Sequence, residues 1–558
     1  MVGISLALAA FWLRILSPWW LIVPVGAFVG LLIVHDRVAK ARDRAREAIA
    51  IYERGTARVE DRWMGLGRDG ARFLQATHPY AADLDLFGPG SLFQRISTAR
   101  TSAGERCLAN TLLVAADPET IRERQLAIAE LAANLDIRED LARAGGDVGD
   151  DLDADGLAAW ATATEAIALG PLRAVGIVLA IVASASIGGW LILDLDPRIA
   201  LVAIVLEIAF AFLMAKRVGR ILEGVDRRAD DLGSIAAMLG RIEREPFRSS
   251  SLIALRDSLV AGGHAASSRI SEARRCVDRL EWGRNMIFAP FALVFLWSTQ
   301  VALSVESWRR RHGRSVRGWI DVVGKFEALA SFAAYTFENP DDPFPEVVED
   351  VGPLVEACGL GHPLLPKASC VRNDLSLADP LRVMVVSGSN MSGKSTLLRA
   401  LGVNVVLAQA GAPVKCRSLR LSPLAIGATL RVQDSLQTGT SRFYAEILRI
   451  RQVVDLTRAG VPLLFLLDEV LAGTNSHDRL AGATAVVRGL IDRGAIGLVT
   501  THDLALAEVA DGLAPRAANV HFEDQFADGV MRFDYLMRPG VVRKSNALEL
   551  MRAVGLDV

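Results

Sequence analysis

A glycine-rich loop in the C-terminal third of the chain carries residues suited to binding phosphate. A short valine-rich run at 382–386 leads into the loop, and an apolar helical stretch follows it. Glycines let backbone N–H groups surround phosphate oxygens, a lysine neutralises the β- and γ-phosphates, and a serine hydroxyl ligates Mg²⁺. The strand–loop–helix setting predicts a nucleotide site formed by Gly388, Ser389, Asn390, Met391, Ser392, Gly393, Lys394, Ser395 and Thr396.

A second motif supplies acidic residues at the end of a buried strand. Pro462-Leu-Leu-Phe-Leu-Leu is followed directly by Asp468 and Glu469. We expect Asp468 and Ser395 to ligate Mg²⁺, and Glu469 to orient or deprotonate the attacking water. With Glu469 present, the pattern predicts a Mg²⁺-dependent ATP hydrolase, since a site without this acid would only bind ATP.

A histidine ends the next apolar strand, Leu498-Val-Thr-Thr. We interpret His502 as a sensor of the γ-phosphate, because it follows Asp468 by one strand. A surface histidine without a role is the alternative.

The elements that position these motifs predict a multidomain chain. An α/β P-loop NTPase domain is expected in residues 336–558. Residues 36–171 and 217–335 lack strand-like alternation and carry apolar residues at three- and four-residue spacing, which predicts α-helices. The expected order is therefore an α-helical region with transmembrane helices, followed by the α/β ATPase domain.

The composition agrees with a folded chain that has membrane segments. The chain has 558 residues, of which 51% are hydrophobic and 23% charged, which argues against disorder. A mean hydropathy of +0.30 is too positive for a purely soluble enzyme and reflects a few long apolar runs. The formal net charge of −2 means that any contact with nucleic acid needs a local basic patch. The five cysteines form no CxxC pair and are interpreted as reduced core thiols.

Residues 1–35 are predicted to be a membrane segment. An apolar region runs from Ile4 to Val34, with interruptions at Arg14 and Pro18, and a basic helical stretch follows directly. No small-residue cleavage site separates the two stretches, which favours an anchor over the alternative of a cleaved signal peptide.

Residues 172–216 are predicted to form a transmembrane helical hairpin. Ala174–Leu193 and Ile199–Ala215 are apolar runs of nearly spanning length, joined by an acidic turn. Basic residues flank the open end, which the positive-inside rule assigns to the cytoplasm. Glu207 lies in the middle of the second run and is expected to face protein or water, either as a protonated carboxyl without a role or as a functional group.

A third apolar run, Met286–Leu303, is interpreted as a buried helix packed against the ATPase domain. If this run crossed the membrane once, the ATPase domain would lie on the side opposite to the cytoplasmic end of the hairpin, away from its ATP. A re-entrant or spanning helix is the alternative. We therefore expect a protein of the cell (inner) membrane with its ATPase domain on the cytoplasmic side.

The densest basic run lies just after this apolar run. It could bind DNA phosphates, or it could be a solvated or lipid-facing surface, since anionic headgroups attract such segments equally well. We favour the second interpretation for Arg309, Arg310, Arg311, His312, Arg314 and Arg317.

The ATPase motifs resemble those of the MutS family of DNA mismatch-repair proteins. Residues 388–396 are similar to that family's Gly-Pro-Asn-Met-Gly-Gly-Lys-Ser-Thr, from which Ser389 and Ser392 depart. Residues 434–446 resemble the segment Asp-x-Leu-x-x-Gly-x-Ser-Thr-Phe-x-x-Glu, with Arg442 in place of the Thr.

This resemblance is strong over residues 362–556 and weak over 98–335. In the weaker part, Thr98–Leu108 and Asp117–Arg124 look like the opening of the MutS core domain. The motifs also resemble a membrane-associated MutS-like subgroup.

The resemblance implies a homodimer in which Ser441 reaches the nucleotide of the partner subunit, and duplex DNA as a partner. Two departures weaken the implication for DNA. An apolar hairpin stands where the family has a DNA clamp, and no Phe-x-Glu mismatch wedge is found. A membrane scaffold ATPase that acts on protein partners is therefore an alternative. An ABC-type transporter is less favoured, because a Leu-Ser-Gly-Gly-Gln motif is absent.

Overall fold

The structure is a computed structural model that forms two compact units, Met1–Ala57 and Arg58–Val558. It describes residues 22–146, 153–163, 170–226, 228–261, 263–283, 288–349, 351–389, 391–430, 442–458, 460–471, 474–502, 504–527 and 530–542.

The described part of the first unit is helical. Helix α1 spans Ile22–Val59, and its apolar residues up to Val34 are almost all exposed. By length and composition alone, α1 could cross a membrane.

The second unit begins with a long helical region. Its helices are α2 Leu92–Ile96, α3 Ser102–Leu113, α4 Pro118–Ala133, α5 Leu135–Ala144, α6 Ala154–Thr162, α7 Gly170–Leu193, α8 Pro197–Asp226, α9 Ala229–Arg244, α10 Ser250–Asp257, α11 Ala266–Gly283, α12 Ala289–Val294 and α13 Trp297–Glu338, with a two-stranded ribbon of β1 Val260–Ala261 and β2 His264–Ala265.

Several of these helices start at capping residues. The Thr101 hydroxyl accepts the Gly104 N–H at the start of α3, and the Asp117 carboxylate accepts the Thr120 N–H at the start of α4. Side chains of this type satisfy N–H groups that have no partner within the helix.

Residues 60–91 differ from the helical structure expected for 36–171. They contain only a short 3₁₀ helix, Ala71–Phe73. Glycines interrupt the sequence here, and Gly70 adopts a φ of 67°, where a Cβ would also lie only 2.6 Å from the Phe93 ring.

Helices α7 and α8 form an antiparallel pair joined at Asp194–Asp196. The segments Leu172–Leu193 and Pro197–Asp226 are each long and apolar enough to cross a membrane. Glu207 lies on the buried face of α8, on the side that packs against the neighbouring helices.

The third apolar run is divided between two helices. Leu296, with a φ of 47°, separates α12 from α13. The expectation that this run packs against the ATPase domain is wrong, because Val301–Val305 pack with residues of α8 and α11. Phe291 and Leu293 on α12 are exposed.

Helix α13 has 42 residues and connects distant parts of the second unit. At 1.5 Å per residue it is about 63 Å long. Its N-terminal part packs against α8, whereas its C-terminal part packs against α3 and α4. The buried Glu327 carboxylate joins α13 to the start of α3 by accepting the backbone N–H groups of Arg100 and Thr101.

An α/β domain follows α13. Its elements are β3 Glu346–Val347, β4 Val355–Leu360, β5 Asn373–Leu377, β6 Val383–Ser387, α14 Lys394–Ala410, β7 Ser418–Leu421, β8 Ala425–Thr429, α15 Arg442–Leu456, β9 Leu463–Leu467, α16 Ser476–Asp492, β10 Ile496–Thr501, α17 Leu504–Gly512, β11 Ala517–Ala527 and β12 Val530–Pro539.

The main sheet has the order β12-β11-β6-β10-β9-β8, in which only the β11–β12 pair is antiparallel. All residues of β6, β9 and β10 are buried, as expected for parallel strands covered on both faces. A second sheet has the order β3-β7-β4-β5.

The segment 60–96, which is irregular up to the short helix α2 at its end, packs against the outer edge of the main sheet. The Ala428 N–H in β8 donates to the Pro79 carbonyl, and the Leu430 N–H donates to the Asp83 carboxylate. The Asp83 carboxylate also pairs with Arg449 on α15 at 2.7 Å. These contacts attach the α/β domain to the segment that leads into the helical region.

Candidate active site

The loop between β6 and α14 curves tightly around the start of α14. Gly388 and Gly393 have φ angles of 150° and 105°. A Cβ at Gly388 would lie 3.0 Å from the Phe522 carbonyl, and one at Gly393 would lie 3.2 Å from the Tyr535 ring. The two positions therefore need glycine both for the backbone conformation and for the close approach of β11 and β12.

Lys394 is the first residue of α14, and its side chain turns back into the loop. Its Nζ donates to the carbonyl oxygens of Gly388 and Ser389, at 2.8 Å each. Burial lowers the pKa of Lys394, and the negative charges of Glu469 and Asp468 oppose this effect. The ammonium group is thus held where a phosphate would meet it.

Asp468 and Glu469 follow β9 and meet Thr500 of the neighbouring strand β10. The Thr500 hydroxyl donates to Asp468 Oδ1 and accepts the Glu469 N–H at 2.9 Å. Glu469 has a φ of 48°, a left-handed conformation that costs a non-glycine residue free energy and is common at functional sites. Thr500 therefore fixes both acidic residues at the end of the sheet.

His502 lies beside Glu469 just after β10. Its Nδ1 is 3.7 Å from Glu469 Oε1, and both side chains are partly exposed. The two residues line a small cavity that also contains Thr501 and Arg479.

A larger cavity of about 420 Å³ brings most of the loop residues together. Its walls include Lys394, Ser395, Thr396 and Glu469, so a cation, two hydroxyls and a carboxylate face one space. Asp468 and His502 are not among its lining residues, although both adjoin Glu469. The lining residues are Leu360, Gly361, His362, Leu365, Ser369, Val371, Asn373, Ser389, Met391, Gly393, Lys394, Ser395, Thr396, Leu397, Ala400, Glu469, Phe522 and Tyr535.

The far wall of this cavity is formed by residues that no sequence motif indicated. Tyr535 on β12 has a φ of 56°, and its carbonyl accepts a hydrogen bond from the Asn373 side chain at 3.0 Å. The side-chain Oδ1 of Asn373 in turn accepts the Met537 N–H at 2.7 Å. An aromatic ring held in this way can stack on a nucleotide base. No sequence motif indicated that Tyr535 would lie over the loop.

His362 on the same wall is a buried neutral imidazole. Burial, and to a smaller extent the charge of Arg399, lower the pKa of His362 to about 4. Its Nδ1 accepts the Leu364 N–H at 3.1 Å, which requires an unprotonated Nδ1.

Glu446 on α15 is a further functional candidate. Its buried carboxylate accepts the N–H of Leu471, two residues after Glu469. Two of the predicted site residues, Asn390 and Ser441, lie outside the described residues.

Comparison with known proteins gives the family of the C-terminal domain. Residues 384–557 match the family model of MutS domain V. The chain is 34% identical over 296 residues to an endonuclease MutS2 of Thermus thermophilus, which covers 50% of this chain and 38% of the relative. It is 36% identical over 241 residues to the DNA mismatch repair protein MutS 2 of Halobacterium salinarum, with 42% and 26% covered.

A DNA mismatch repair protein MutS of Thermus aquaticus is 31% identical over 290 residues, which cover 51% of this chain and 33% of the relative. The chain therefore spans between about a quarter and two-fifths of the length of these relatives. The observed order of the chain, a helical region followed by an α/β domain, agrees with the match to MutS domain V. Residues 384–557 are therefore a domain V of the MutS family.

Proposed function

We propose that this chain is a membrane-anchored, Mg²⁺-dependent ATPase that works as a MutS-like molecular switch. The observation that carries the proposal is the convergence of Lys394, Ser395 and Glu469 on one cavity. MutS family proteins in general hydrolyse ATP, and the match to domain V supports the same activity here.

In the proposed reaction each residue has a defined task. The Lys394 ammonium group exchanges its two loop carbonyls for β- and γ-phosphate oxygens. Glu469 orients the attacking water and takes its proton, and the strained backbone fixed by Thr500 aims its carboxylate. His502, next to Glu469, responds to the γ-phosphate.

The residues near the loop fit a Mg²⁺ ion. Ser395 and Asp468 would hold it, since hydroxyl and carboxylate oxygens are the ligands that Mg²⁺ prefers. In the described residues, the buried hydroxyls of Ser389, Ser392 and Thr429 have no hydrogen-bond partner, as expected of groups that serve phosphates or metal-bound water. The bound ion would neutralise charge on the phosphate oxygens.

The packing offers a route from this site to the rest of the chain. The loop helix α14 packs against α3 and α4, which in turn pack against α13. Helix α13 reaches the α7–α8 hairpin at its other end. ATP binding or hydrolysis at the loop can therefore shift the position of the helical region, because these packed helices transmit the movement.

The surface of the hairpin supports membrane anchoring. Phe212 and Leu213 are 82% and 74% exposed, and large apolar residues are exposed along both helices. Soluble proteins rarely expose a contiguous apolar surface of this size. Together with the basic residues at its open end, this supports an inner-membrane location with the ATPase domain in the cytoplasm.

The surface of α15 supports the proposed dimer. Tyr444, Ile447 and Leu448 form an exposed apolar stripe at helical spacing, and this helix begins immediately after Ser441. Burying such a stripe against a second copy would form a dimer through the helix that follows Ser441 in sequence.

DNA is the proposed partner of the switch, on the basis of the relatives' names alone. A membrane scaffold that acts on proteins is the second candidate, favoured by the apolar hairpin inserted between the helical blocks. A titration of the full chain with duplex, mismatched and branched DNA over a range of salt concentrations separates them. Binding that weakens steeply with salt supports DNA, whereas no binding at low salt supports the scaffold.

The nucleotide site has its own test. ATP titrated onto the full chain should bind, and Lys394→Ala should weaken this binding. Equal ATP affinity in both proteins would contradict the proposed site.

A further inference from the structure

The turn between α11 and α13 has an exposed apolar surface of its own. Trp282, Phe291 and Leu293 are 68%, 57% and 64% exposed, and Phe295 is also exposed. We call these four residues the turn surface. Phe291 and Leu293 lie on the short helix α12, and Phe295 follows it directly. Phe288, which precedes α12, contacts both Phe291 and Trp297.

The contacts of the turn fix its depth relative to the hairpin. A Cβ at Gly176 would lie 3.2 Å from Gln300 Nε2 and 3.9 Å from Leu296 Cδ1, beside the Phe210 ring. Gly176 lies four residues, or about 6 Å, inside the apolar segment that starts at Leu172. Since α12 also contacts α7, the turn surface lies at the level of the cytoplasmic end of the proposed span.

Cations lie on the two helices that flank the turn. Arg275 and Arg279 lie on α11 within two helical turns of Trp282, and Arg311 lies on α13. Burial raises the pKa of the Cys276 thiol, and the charges of these three arginines oppose that rise. The Trp297 indole N–H donates to the Arg279 carbonyl at 2.6 Å, which ties this part of α11 to the turn.

The cytoplasmic continuation of α8 adds three more exposed cations, Lys216, Arg217 and Arg220. Within the described part of the chain, none of the six forms an ion pair. Acidic residues lie on the same helices, and two of them, Glu272 and Asp278, pair with Arg269 and Arg274. Exposed Glu223, Asp226 and Glu281 offset only part of the positive charge of the six cations.

We propose that the turn surface inserts into the cytoplasmic leaflet of an anionic membrane, with the six cations binding phospholipid phosphates around it. Aromatic and aliphatic side chains flanked by arginine are the composition of elements that lie in the headgroup and acyl boundary. Duplex DNA would match the cations and leave the apolar side chains exposed. The proposal rests on the proposed anchoring and adds a second type of membrane contact, an inserted turn, to the spanning helices.

The depth of Leu293 tests the proposal directly. A fluorescent amino acid is placed at Leu293 in the full chain, which is reconstituted into vesicles of phosphatidylcholine and phosphatidylglycerol with nitroxide-labelled acyl chains. Matched labels at Leu206 on the hairpin and at exposed Leu126 on α4 are the controls. We expect quenching at Leu293 and Leu206 and none at Leu126.

The outcomes separate this proposal from the anchoring itself. Quenching at Leu206 without quenching at Leu293 overturns the turn insertion and leaves the anchored ATPase intact. No quenching at Leu206 contradicts the anchoring on which the proposal rests.

A charge variant tests the lipid phosphates. We expect phosphatidylglycerol to increase the quenching at Leu293. Combined Arg275→Gln, Arg279→Gln and Arg311→Gln should reduce this increase. The matched control, Arg451→Gln with Arg458→Gln, removes exposed cations of the α/β domain and should keep that increase. If the triple variant quenches like the wild type and instead loses binding to duplex DNA, the cations serve nucleic acid and the proposal is wrong.

Discussion

The carboxylate of Glu446 accepts a hydrogen bond from the backbone N–H of Leu471, and only 4% of Glu446 is exposed. Leu471 and Glu469 both have left-handed φ angles, 58° and 48°. Glu446 thus holds the strained backbone that aims Glu469. It also connects that backbone to α15, the helix that begins right after Ser441.

This contact predicts a difference between two substitutions of Glu446. Glu446→Ala leaves the Leu471 N–H buried without a partner, which costs about 1–3 kcal/mol. It should also lower ATP turnover, because Glu469 loses its position. Glu446→Gln keeps an oxygen acceptor and should retain most of the turnover. Turnover and the unfolding midpoint are the measurements, and wild-type turnover in Glu446→Ala would contradict the role.

The ion pair between Asp83 and Arg449 should be important for stability. Asp83 is 2% exposed and also accepts the Leu430 N–H. Asp83→Ala should lower the free energy of unfolding by about 3–5 kcal/mol, because it leaves a charge without its partner. Arg417→Ala breaks the exposed pair with Asp374 and should cost no more than about 1 kcal/mol. If denaturant unfolding shows the same loss of free energy for Asp83→Ala and Arg417→Ala, the Asp83–Arg449 ion pair does not hold the 60–96 segment to the α/β domain.

His362 should make the stability of the domain depend on acid pH. The folded protein resists protonation of His362 until about pH 4, whereas the unfolded chain accepts that proton near 6.5. The contribution of His362 is therefore fully present above pH 6.5 and is lost as the pH falls towards 4, by roughly 3 kcal/mol. His362→Asn cannot titrate and should show a smaller loss over this range. Parallel stability curves for the two proteins would rule out the effect.

The dimer model predicts complementation between two inactive subunits. Lys394→Ala and Ser441→Ala should each be nearly inactive alone. In the mixed heterodimer both lesions fall on one composite site, so the other site is intact. Recovered ATPase activity on mixing supports completion in trans. Normal hydrolysis by Ser441→Ala alone, or turnover by a strict monomer, would contradict it.

Local patterns predicted the elements that carry the loop and the acidic residues. The valine-rich run at 382–386 lies almost entirely in the buried strand β6, Val383–Ser387. Helix α14 starts at Lys394, and Asp468 follows β9. These elements could be predicted because glycine spacing and apolar runs are patterns among residues that are close in sequence. Their chemical roles stay predictions.

The rest of the site depends on contacts between distant residues. Tyr535 and Asn373 meet only because β12 and β5 come together over the loop, and neither residue belongs to a chemical motif. The 60–96 segment has no periodicity, so its position against β8 could not be inferred from spacing. For the same reason, the prediction that the third apolar run packs against the ATPase domain was wrong. An apolar run indicates burial but does not indicate which surface buries it, and Val301–Val305 pack against α8 and α11.

The most direct test of the proposed ATPase compares nucleotide binding and hydrolysis in one variant. Wild-type full chain and Glu469→Gln are reconstituted in lipid, and ATP affinity and Mg²⁺-dependent phosphate release are measured on both. Lys394 and Ser395 are unchanged in the variant, so we predict ATP binding close to wild type and hydrolysis slower by about 10²–10⁴-fold. Near-normal turnover in Glu469→Gln, or no Mg²⁺-dependent hydrolysis by the wild-type chain, would contradict the account.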